Sequence, residues 1–222
     1  MVEFVADTEH PVLIPVNNIR LDGLLYVPHH ATALILFVHG SGSSRLSPRN
    51  QLIARTLQQA KFATLLFDLL TIEEDKVDTG TLQYRFDIAL LAERLIAVTK
   101  WALSNPVLHK LSVGYFGAST GGGAALLAAV KEKRVKAVVS RGGRPDLAGD
   151  VLSAVEAATL LLVGENDKQV IALNEEAFAK LECEKEMTIV PGASHLFEES
   201  GKLAIVARLA EKWFEKYCVI PQ

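Results

Sequence analysis

Residues 117–121 read Gly-Ala-Ser-Thr-Gly, the pattern G-x-S-x-G with Ser119 at its centre. The apolar run 111–116 precedes this pentapeptide, and a segment rich in small residues, 121–130, follows it. A strand, a sharp turn and a helix in this order hold a serine hydroxyl out above the edge of a sheet, and the glycines let neighbouring backbone approach closely. The pattern therefore predicts a nucleophilic serine, and the alternative is an ordinary glycine-rich turn between a strand and a helix.

A serine nucleophile needs a neighbouring base, and His195 is the candidate. It lies in Pro-Gly-Ala-Ser-His-Leu-Phe, directly after the last predicted strand, 187–190. The carboxyl ends of parallel strands meet at one sheet edge, where ligands bind in such folds. Asp167 follows the predicted strand 158–163 and would orient the imidazole and stabilise its charged form. Glu165 is the alternative acid; with Asp167 the order along the chain is Ser, Asp, His.

The negatively charged oxygen of a tetrahedral intermediate needs backbone N–H donors. One donor is predicted to be the N–H of Thr120, immediately after the candidate nucleophile. The second is predicted to come from the loop His-Gly-Ser-Gly-Ser-Ser, 39–44, where the N–H of Ser41 is the candidate. His39, at the start of this loop, is predicted to be a hydrogen-bonded structural residue rather than a base.

Arginines follow two of the strands that lead to this edge of the sheet. Arg45 and Arg49 follow the loop 39–44, and Arg141 and Arg144 follow the predicted strand 135–140. The planar guanidinium fork matches carboxylate and phosphate groups, so these arginines predict a small anionic substrate. Arg141 is the best single candidate because it directly follows a central strand. In the alternative interpretation, the arginines pair with structural acids such as Asp68 or Asp146.

The candidate site residues follow strand-like segments that alternate with helical segments along the chain. This alternation is typical of parallel β-α-β units, and an antiparallel strand pair joined at Asn17-Asn18 opens the chain. Segment 69–80 is polar and acidic and is predicted to be a surface loop. The predicted strands are 12–15, 19–27, 33–38, 63–67, 111–116, 135–140, 158–163 and 187–190, and the predicted helices are 48–59, 84–103, 121–130 and 203–217.

The composition narrows the partners that the protein is expected to have. Half of the 222 residues are hydrophobic, 22% are charged and the net charge is −3, which is typical of a globular domain without a basic nucleic-acid-binding surface. No apolar run approaches the ~18 residues that a membrane span requires. No metal-ligand motif and no phosphate-loop pattern is present, so neither a metal nor a cofactor is expected. The expected partner is a small-molecule substrate, with no nucleic acid and no membrane.

The N-terminal residues, the cysteines and the lack of a linker or repeat predict the cellular location and the domain organisation. The N-terminal residues lack the cationic and apolar segments of a signal peptide. The two cysteines, Cys183 and Cys218, fit a reducing compartment and no disulfide framework. We therefore expect a cytoplasmic protein, folded as one domain over residues 1–222 because no linker or repeat divides the chain. The sequence leaves the oligomeric state open.

The four motifs together resemble those of the α/β-hydrolase superfamily over nearly the whole chain. They are the His-Gly-Ser-Gly-Ser-Ser loop, the Gly-Ala-Ser-Thr-Gly turn, the Gly-Glu-Asn-Asp acid loop and the Gly-Ala-Ser-His-Leu-Phe loop. Within the superfamily, the short chain without a large cap insertion is similar to the dienelactone-hydrolase-like branch. Dienelactone hydrolases use a cysteine nucleophile, and this sequence has Ser119 in that place.

The resemblance implies a fold and an activity. The implied fold is a mostly parallel central sheet with an antiparallel N-terminal strand pair, helices on both faces and no large cap domain. The implied activity is hydrolysis of a carboxylic ester or a related acyl bond through an acyl-serine intermediate, with Ser119, Asp167 and His195 as the triad. Thioesters, lactones and amides stay open as substrates. A catalytically inactive binding protein on the same fold is the alternative from a different class.

Overall fold

The apolar segments form one eight-stranded sheet in the computed structural model, which describes residues 4–219. The strands are β1 (Glu9–Val16), β2 (Ile19–Tyr26), β3 (Ala33–Val38), β4 (Phe62–Phe67), β5 (Ser112–Ala118), β6 (Val135–Arg141), β7 (Ala158–Gly164) and β8 (Lys185–Val190). Their order in the sheet is β1-β2-β4-β3-β5-β6-β7-β8. β1 pairs antiparallel with β2, and β2 with β4, while the remaining neighbours are parallel. Every residue of β3, β4 and β7 is buried, as expected for strands covered on both faces.

Helices cover both faces of this sheet. They are α1 (Pro48–Gln59), α2 (Ile72–Thr81), α3 (Ile88–Leu103), α4 (Thr120–Lys131), α5 (Lys168–Lys180) and α6 (Lys202–Cys218), with a 3-10 segment at Pro145–Ala154. On one face, α1 and α6 bury side chains such as Ile53 and Phe214. On the other face, α3 and α4 bury side chains such as Leu95 and Leu126. The predicted architecture is therefore confirmed: a mostly parallel sheet with an antiparallel N-terminal pair, helices on both faces and, among residues 4–219, no large cap.

The prediction of a surface loop over residues 69–80 is wrong, because most of this segment is helix α2. The Glu74 N–H donates to Thr71 Oγ1 at 3.2 Å, and the Thr71 N–H donates to the Glu74 carboxylate at 2.9 Å, which is a capping box. Asp78, in the last turn, is buried and accepts the N–H of Tyr84 at 2.7 Å. The acids that suggested a solvated loop instead begin this helix and fix the turn after it.

Three further elements differ from the sequence-based expectation. Helix α5 and the 3-10 segment were not predicted, although both lie in the described structure. Helix α3 begins at Ile88 rather than near residue 84, because the Asp87 side chain accepts the N–H of Leu90 at 3.0 Å and caps the helix there. Within residues 4–219, every helix is too short or too polar to span a bilayer.

Helix α2 is held to helix α3 by an ion pair that should contribute to stability. Arg94 donates to both Glu74 carboxylate oxygens at 2.6 and 2.7 Å, and these hydrogen bonds hold the pKa of Glu74 below its ordinary value of 4.5. Glu74→Gln should therefore lower the free energy of unfolding by about 2 kcal/mol near neutral pH. The exposed neighbour Glu73 supplies the control, and Glu73→Gln should have little effect.

The pH dependence of this difference follows from the direction of the pKa shift. A carboxyl group with a lowered pKa in the folded state stabilises that state above its unfolded pKa and loses this contribution as the pH falls through its folded-state pKa. The stability difference between the wild type and Glu74→Gln should thus shrink in acid, as measured by urea unfolding across that range. Equal losses for Glu73→Gln and Glu74→Gln would contradict a specific anchoring role.

Candidate active site

Ser119 lies at a sharp turn between the end of β5 and the start of α4. Its backbone is in the left-handed region, with φ 51° and ψ −125°, a conformation that costs energy for a residue with a side chain. Gly121 makes room for this turn, because a Cβ at that position would lie only 2.1 Å from the Val38 carbonyl oxygen. Ser119 is therefore held at the carboxyl edge of the sheet in the strained geometry that the motif predicts.

The end of β6 holds the Ser119 turn from the other side. The Ser119 N–H donates to the Arg141 carbonyl oxygen at 3.3 Å, and the Ser119 carbonyl oxygen accepts the N–H of Arg144 at 2.9 Å. The Ser119 carbonyl also accepts the N–H of Gly122 at 3.0 Å, in the first turn of α4. The hydroxyl is thus placed beside a helix N-terminus, whose free N–H groups favour negative charge nearby.

Asp167 and His195 are joined although 28 residues separate them in the sequence. Asp167 Oδ2 and His195 Nδ1 are 2.5 Å apart. Because the carboxylate only accepts, Nδ1 is the donor, which leaves Nε2 to accept a proton. The side chain of Asp167 is 15% exposed and that of His195 is 39% exposed, so the histidine reaches solvent while the acid behind it is largely covered.

The segment after β6 places His195 near the Ser119 turn. A Cβ on Gly142 would lie 2.9 Å from the His195 carbonyl oxygen and 3.5 Å from its Nδ1, and the preceding residue, Arg141, accepts the Ser119 N–H. Among the hydrogen bonds of residues 4–219, none joins the Ser119 hydroxyl to His195. Catalytic hydrogen bonds often close only when substrate binds, so the open contact does not contradict the predicted roles of Ser119 and His195.

Two glutamates shape the loop that carries His195. Glu165, the alternative acid, accepts the N–H of Gly192 at 2.7 Å. Glu199 accepts the N–H of Ser194 at 3.0 Å. These contacts direct Glu165 to the loop backbone and leave Asp167 on the imidazole. The contribution of Glu199 had no signal in the sequence, because it depends on how the loop folds back on itself.

The loop after β3 lies directly against Ser119, the candidate nucleophile. A Cβ on Gly40 would meet the Ser119 Cβ at 2.8 Å and the Ala118 carbonyl oxygen at 3.1 Å. The Ser41 N–H, the second predicted oxyanion donor, donates to Thr120 Oγ1 at 3.0 Å. It therefore points toward the start of α4, and a substrate oxygen would have to replace the Thr120 hydroxyl as its acceptor.

His39 connects this loop to the chain after β4. The ring is buried, with Nδ1 2.9 Å from the Gly40 carbonyl oxygen and Nε2 accepting the Leu69 N–H at 3.0 Å. Burial lowers the pKa of His39, which keeps the ring neutral with its proton on Nδ1. Both ring nitrogens are occupied, so His39 has the structural role expected of it.

A cavity of about 250 Å³ opens beside the candidate oxyanion donors. Its lining includes Ser41 and Thr120, together with Ile72 from helix α2 and Arg85 from the turn after it. Helix α2, which was not predicted from the sequence, thus forms part of the wall of this cavity. The T-x-x-E capping pattern at residues 71–74 is the signal that would have revealed it.

Three of the four arginines that predict an anionic substrate are in ion pairs, and one of these pairs joins Arg49 to Glu198 at 2.6 Å. Arg144 donates to both carboxylate oxygens of Asp146 at 2.7 and 2.8 Å. The Arg45 guanidinium contacts the Asp68 carboxylate, and its backbone N–H donates to the same group at 2.6 Å. Asp68 and Asp146 are the acids named in the alternative interpretation. Arg141, in contrast, is buried with no carboxylate among its hydrogen-bond partners in the described residues.

Because Gly40 packs closely on Ser119, the position of the loop 39–44 should affect activity. Gly40→Ala should lower kcat/KM by about 10²-fold, because its Cβ has to displace either the loop or Ser119, and small misplacements at a reacting centre have effects of this size. Gly80→Ala is the matched control, since a Cβ there meets nothing within 4 Å. Steady-state hydrolysis of an activated ester measures both variants. Full activity in Gly40→Ala would show that the loop does not position the nucleophile.

The strand order and the turn at Ser119 after β5 define the class of protein: an α/β hydrolase. The model of the dienelactone hydrolase family matches residues 21–218. The chain belongs to this family, in agreement with the resemblance found in its motifs.

Known proteins extend this assignment. A crystal structure of dienelactone hydrolase from Anabaena variabilis is 55% identical, with a TM-score of 0.93 over 95% of this chain and 98% of that one. Est1E from Butyrivibrio proteoclasticus shares the fold at 14% identity, with a TM-score of 0.77 over 93% of this chain and 98% of that one. A Mycobacterium tuberculosis protein provisionally named a phosphoribosyl transferase is 52% identical over 207 residues, 93% of this chain and 46% of that protein. This chain thus spans about half the length of that curated relative.

The matched family and the shared fold together support a hydrolase.

Proposed function

We propose that this protein hydrolyses a carboxylic ester or a related acyl bond through an acyl intermediate on Ser119. The observation that carries the proposal is the 2.5 Å contact between Asp167 and His195 at the sheet edge where Ser119 occupies its strained turn. The paired acid and base lie on two separate loops, and no structural need for their pairing at this edge is evident. Acyl transfer is the chemistry for which this combination of groups is suited.

The proposed first half-reaction forms the acyl-enzyme. His195 Nε2 accepts the proton of the Ser119 hydroxyl while Oγ attacks the acyl carbonyl carbon, and Asp167 stabilises the resulting imidazolium. The N–H groups of Thr120 and Ser41 stabilise the tetrahedral oxyanion, with Ser41 exchanging the Thr120 hydroxyl for the substrate oxygen. The intermediate collapses as His195 returns its proton to the leaving alcohol.

The second half-reaction releases the acid. His195 removes a proton from water, whose oxygen attacks the acyl carbon and forms a second tetrahedral intermediate. Collapse of this intermediate breaks the bond to Ser119 Oγ, which takes back the proton from His195. The net reaction consumes one ester and one water and yields one acid and one alcohol.

The substrate class is the finer part of the proposal. We propose a small anionic acyl compound, with an ester as the first choice and thioesters, lactones and amides as the alternatives for the scissile bond. The transferase name belongs to a protein of which this chain matches 46%. We propose hydrolysis rather than phosphoribosyl transfer for this chain, because the matched family is one of hydrolases.

A panel of acyl substrates tests the proposal directly. Esters, thioesters, lactones and amides of varied chain length and charge are incubated with the wild type, and the Ser119→Ala protein serves as the blank. Turnover of at least one class, absent in the blank, is the expected result. Binding without turnover across the whole panel would favour an inactive binding protein on this fold.

A further inference from the structure

The side chain of Thr120 connects the two candidate oxyanion donors. Its Oγ1 accepts the Ser41 N–H at 3.0 Å, and the N–H of Thr120 itself is the other candidate donor. Thr120 is buried and lines the cavity of about 250 Å³. Within the part of the chain that the structure describes, its hydroxyl donates to no protein acceptor. A threonine hydroxyl has one proton to donate besides its acceptor lone pairs, so this proton is available to a molecule in the cavity.

The loop that carries Ser41 is held in one position. The Gly40 carbonyl oxygen accepts the Ser43 N–H at 3.2 Å and lies 2.9 Å from His39 Nδ1. These contacts fix the peptide group that contains the Ser41 N–H, because that N–H and the Gly40 carbonyl belong to the same planar unit. A substrate oxygen therefore has to meet this N–H close to the place where the Thr120 hydroxyl lies.

The backbone of Thr120 is held as firmly as the loop. Thr120 is the first residue of helix α4, and a Cβ on the next residue, Gly121, would lie only 2.1 Å from the Val38 carbonyl oxygen. The start of the helix is thus packed against the end of β3 and has no room to move toward it. Rotation about the Cα–Cβ bond of Thr120 is the motion by which its hydroxyl can adjust to a substrate oxygen.

The charge of a tetrahedral intermediate decides how this hydroxyl must act if it stays near. Two oxygen atoms that meet the same N–H lie close together, and they repel each other unless a proton lies between them. An oxyanion has no proton, so the hydroxyl of Thr120 has to donate. A hydrogen bond from a hydroxyl to a charged oxygen is stronger than one to a neutral oxygen, and this bond therefore strengthens as negative charge develops.

We propose that the Thr120 hydroxyl is a third oxyanion donor, beside the backbone N–H groups of Thr120 and Ser41. The proposal rests on the acyl-hydrolase function above and adds a catalytic side chain to it. The hydroxyl accepts from Ser41 in the free protein and donates to the oxyanion in the intermediate, keeping its own proton throughout. In the opposite case, the hydroxyl only occupies the Ser41 N–H until substrate arrives and then turns away.

Thr120→Val separates these two roles, because it replaces the hydroxyl by a methyl group of similar size. Loss of an oxyanion donor should lower kcat and kcat/KM alike, by about 10²- to 10³-fold on an activated ester. Thr120→Ser keeps a hydroxyl and should recover most of this loss. Thr81→Val makes the same change at the exposed end of α2 and should leave hydrolysis unchanged. Circular dichroism and thermal unfolding verify that each variant is folded.

Two kinetic results would overturn the proposal. A folded Thr120→Val protein with the kcat of the wild type, or a higher one, would show that the hydroxyl only competes for the Ser41 N–H. Thr120→Ser as slow as Thr120→Val would show that the hydroxyl is not the group that matters.

A structure of the inhibited wild type gives a readout that does not depend on the variants. In a crystal structure of the adduct that a fluorophosphonate forms on Ser119, a phosphoryl oxygen should lie about 2.5–3.0 Å from Thr120 Oγ1, the range of an O–H···O hydrogen bond. A Thr120 side chain that is rotated away from this oxygen would overturn the proposal.

Failure of this proposal and failure of the acyl-hydrolase function give different results. Hydrolysis that is lost in Ser119→Ala but complete in Thr120→Val would overturn the role of the hydroxyl alone. A wild type that neither hydrolyses any substrate of the panel nor reacts with the fluorophosphonate at Ser119 would refute the hydrolase function, and the third donor with it.

Discussion

Ser119→Ala is expected to lower kcat on an acyl ester by about 10⁶-fold, because no other group in the proposed mechanism can form the acyl-enzyme. The substitution removes only a hydroxyl. The turn at Ser119 is held by backbone hydrogen bonds to residues 141 and 144, so the fold should persist. Circular dichroism and thermal unfolding verify that the variant is folded, and stopped-flow or steady-state hydrolysis measures the loss.

A fluorophosphonate probe identifies the nucleophile chemically. It should label the wild type at Ser119, with the modified peptide identified by mass spectrometry, and should not label Ser119→Ala. Ser43→Ala is the matched control, since Ser43 lies on the neighbouring loop and lines the cavity beside Thr120; it should be labelled as the wild type is. Labelling that persists after Ser119→Ala would place the nucleophile at another residue.

Asp167→Asn should lower kcat by about 10⁴-fold while leaving the fold intact. The present carboxylate accepts the proton of His195 Nδ1. An amide at this position favours the tautomer with its proton on Nε2, and that ring cannot accept the proton of Ser119. The variant also lacks the negative charge that stabilises the imidazolium. Steady-state hydrolysis of the best ester from the substrate panel measures the effect.

Glu165→Gln is the control for this prediction. The Glu165 carboxylate binds the backbone N–H of Gly192, and a glutamine oxygen can accept the same hydrogen bond. We expect activity within a few-fold of the wild type. A severe loss in Glu165→Gln with a mild one in Asp167→Asn would reverse the assignment of the acid. His195→Ala should be nearly as damaging as the loss of Ser119, because the two groups act as a unit.

The sequence by itself determined those features that depend on local pattern. Continuous apolar runs identified β3 and β4, because strands covered on both faces carry apolar residues at every position. The turn at Ser119 was predictable because the glycines that allow the backbone to approach closely there lie within a few residues of it in the sequence. The family was evident for the same reason, since its motifs are short segments directly after strands. The roles of Ser119, Asp167 and His195 stay predictions that the variants above test.

The tertiary structure alone decided which side chains meet across loops. The acids of residues 69–80 looked solvated in the sequence, yet Glu74 and Asp78 begin and end a helix through hydrogen bonds. The sequence did not show which of the four arginines pair with acids. In the structure, Arg144 pairs with an acid, whereas Arg141 has no acid among its hydrogen-bond partners in the described residues. Charge and residue type are local, but neutralisation depends on what lies within a few ångströms in space. Sequence order does not record that distance for residues on different loops.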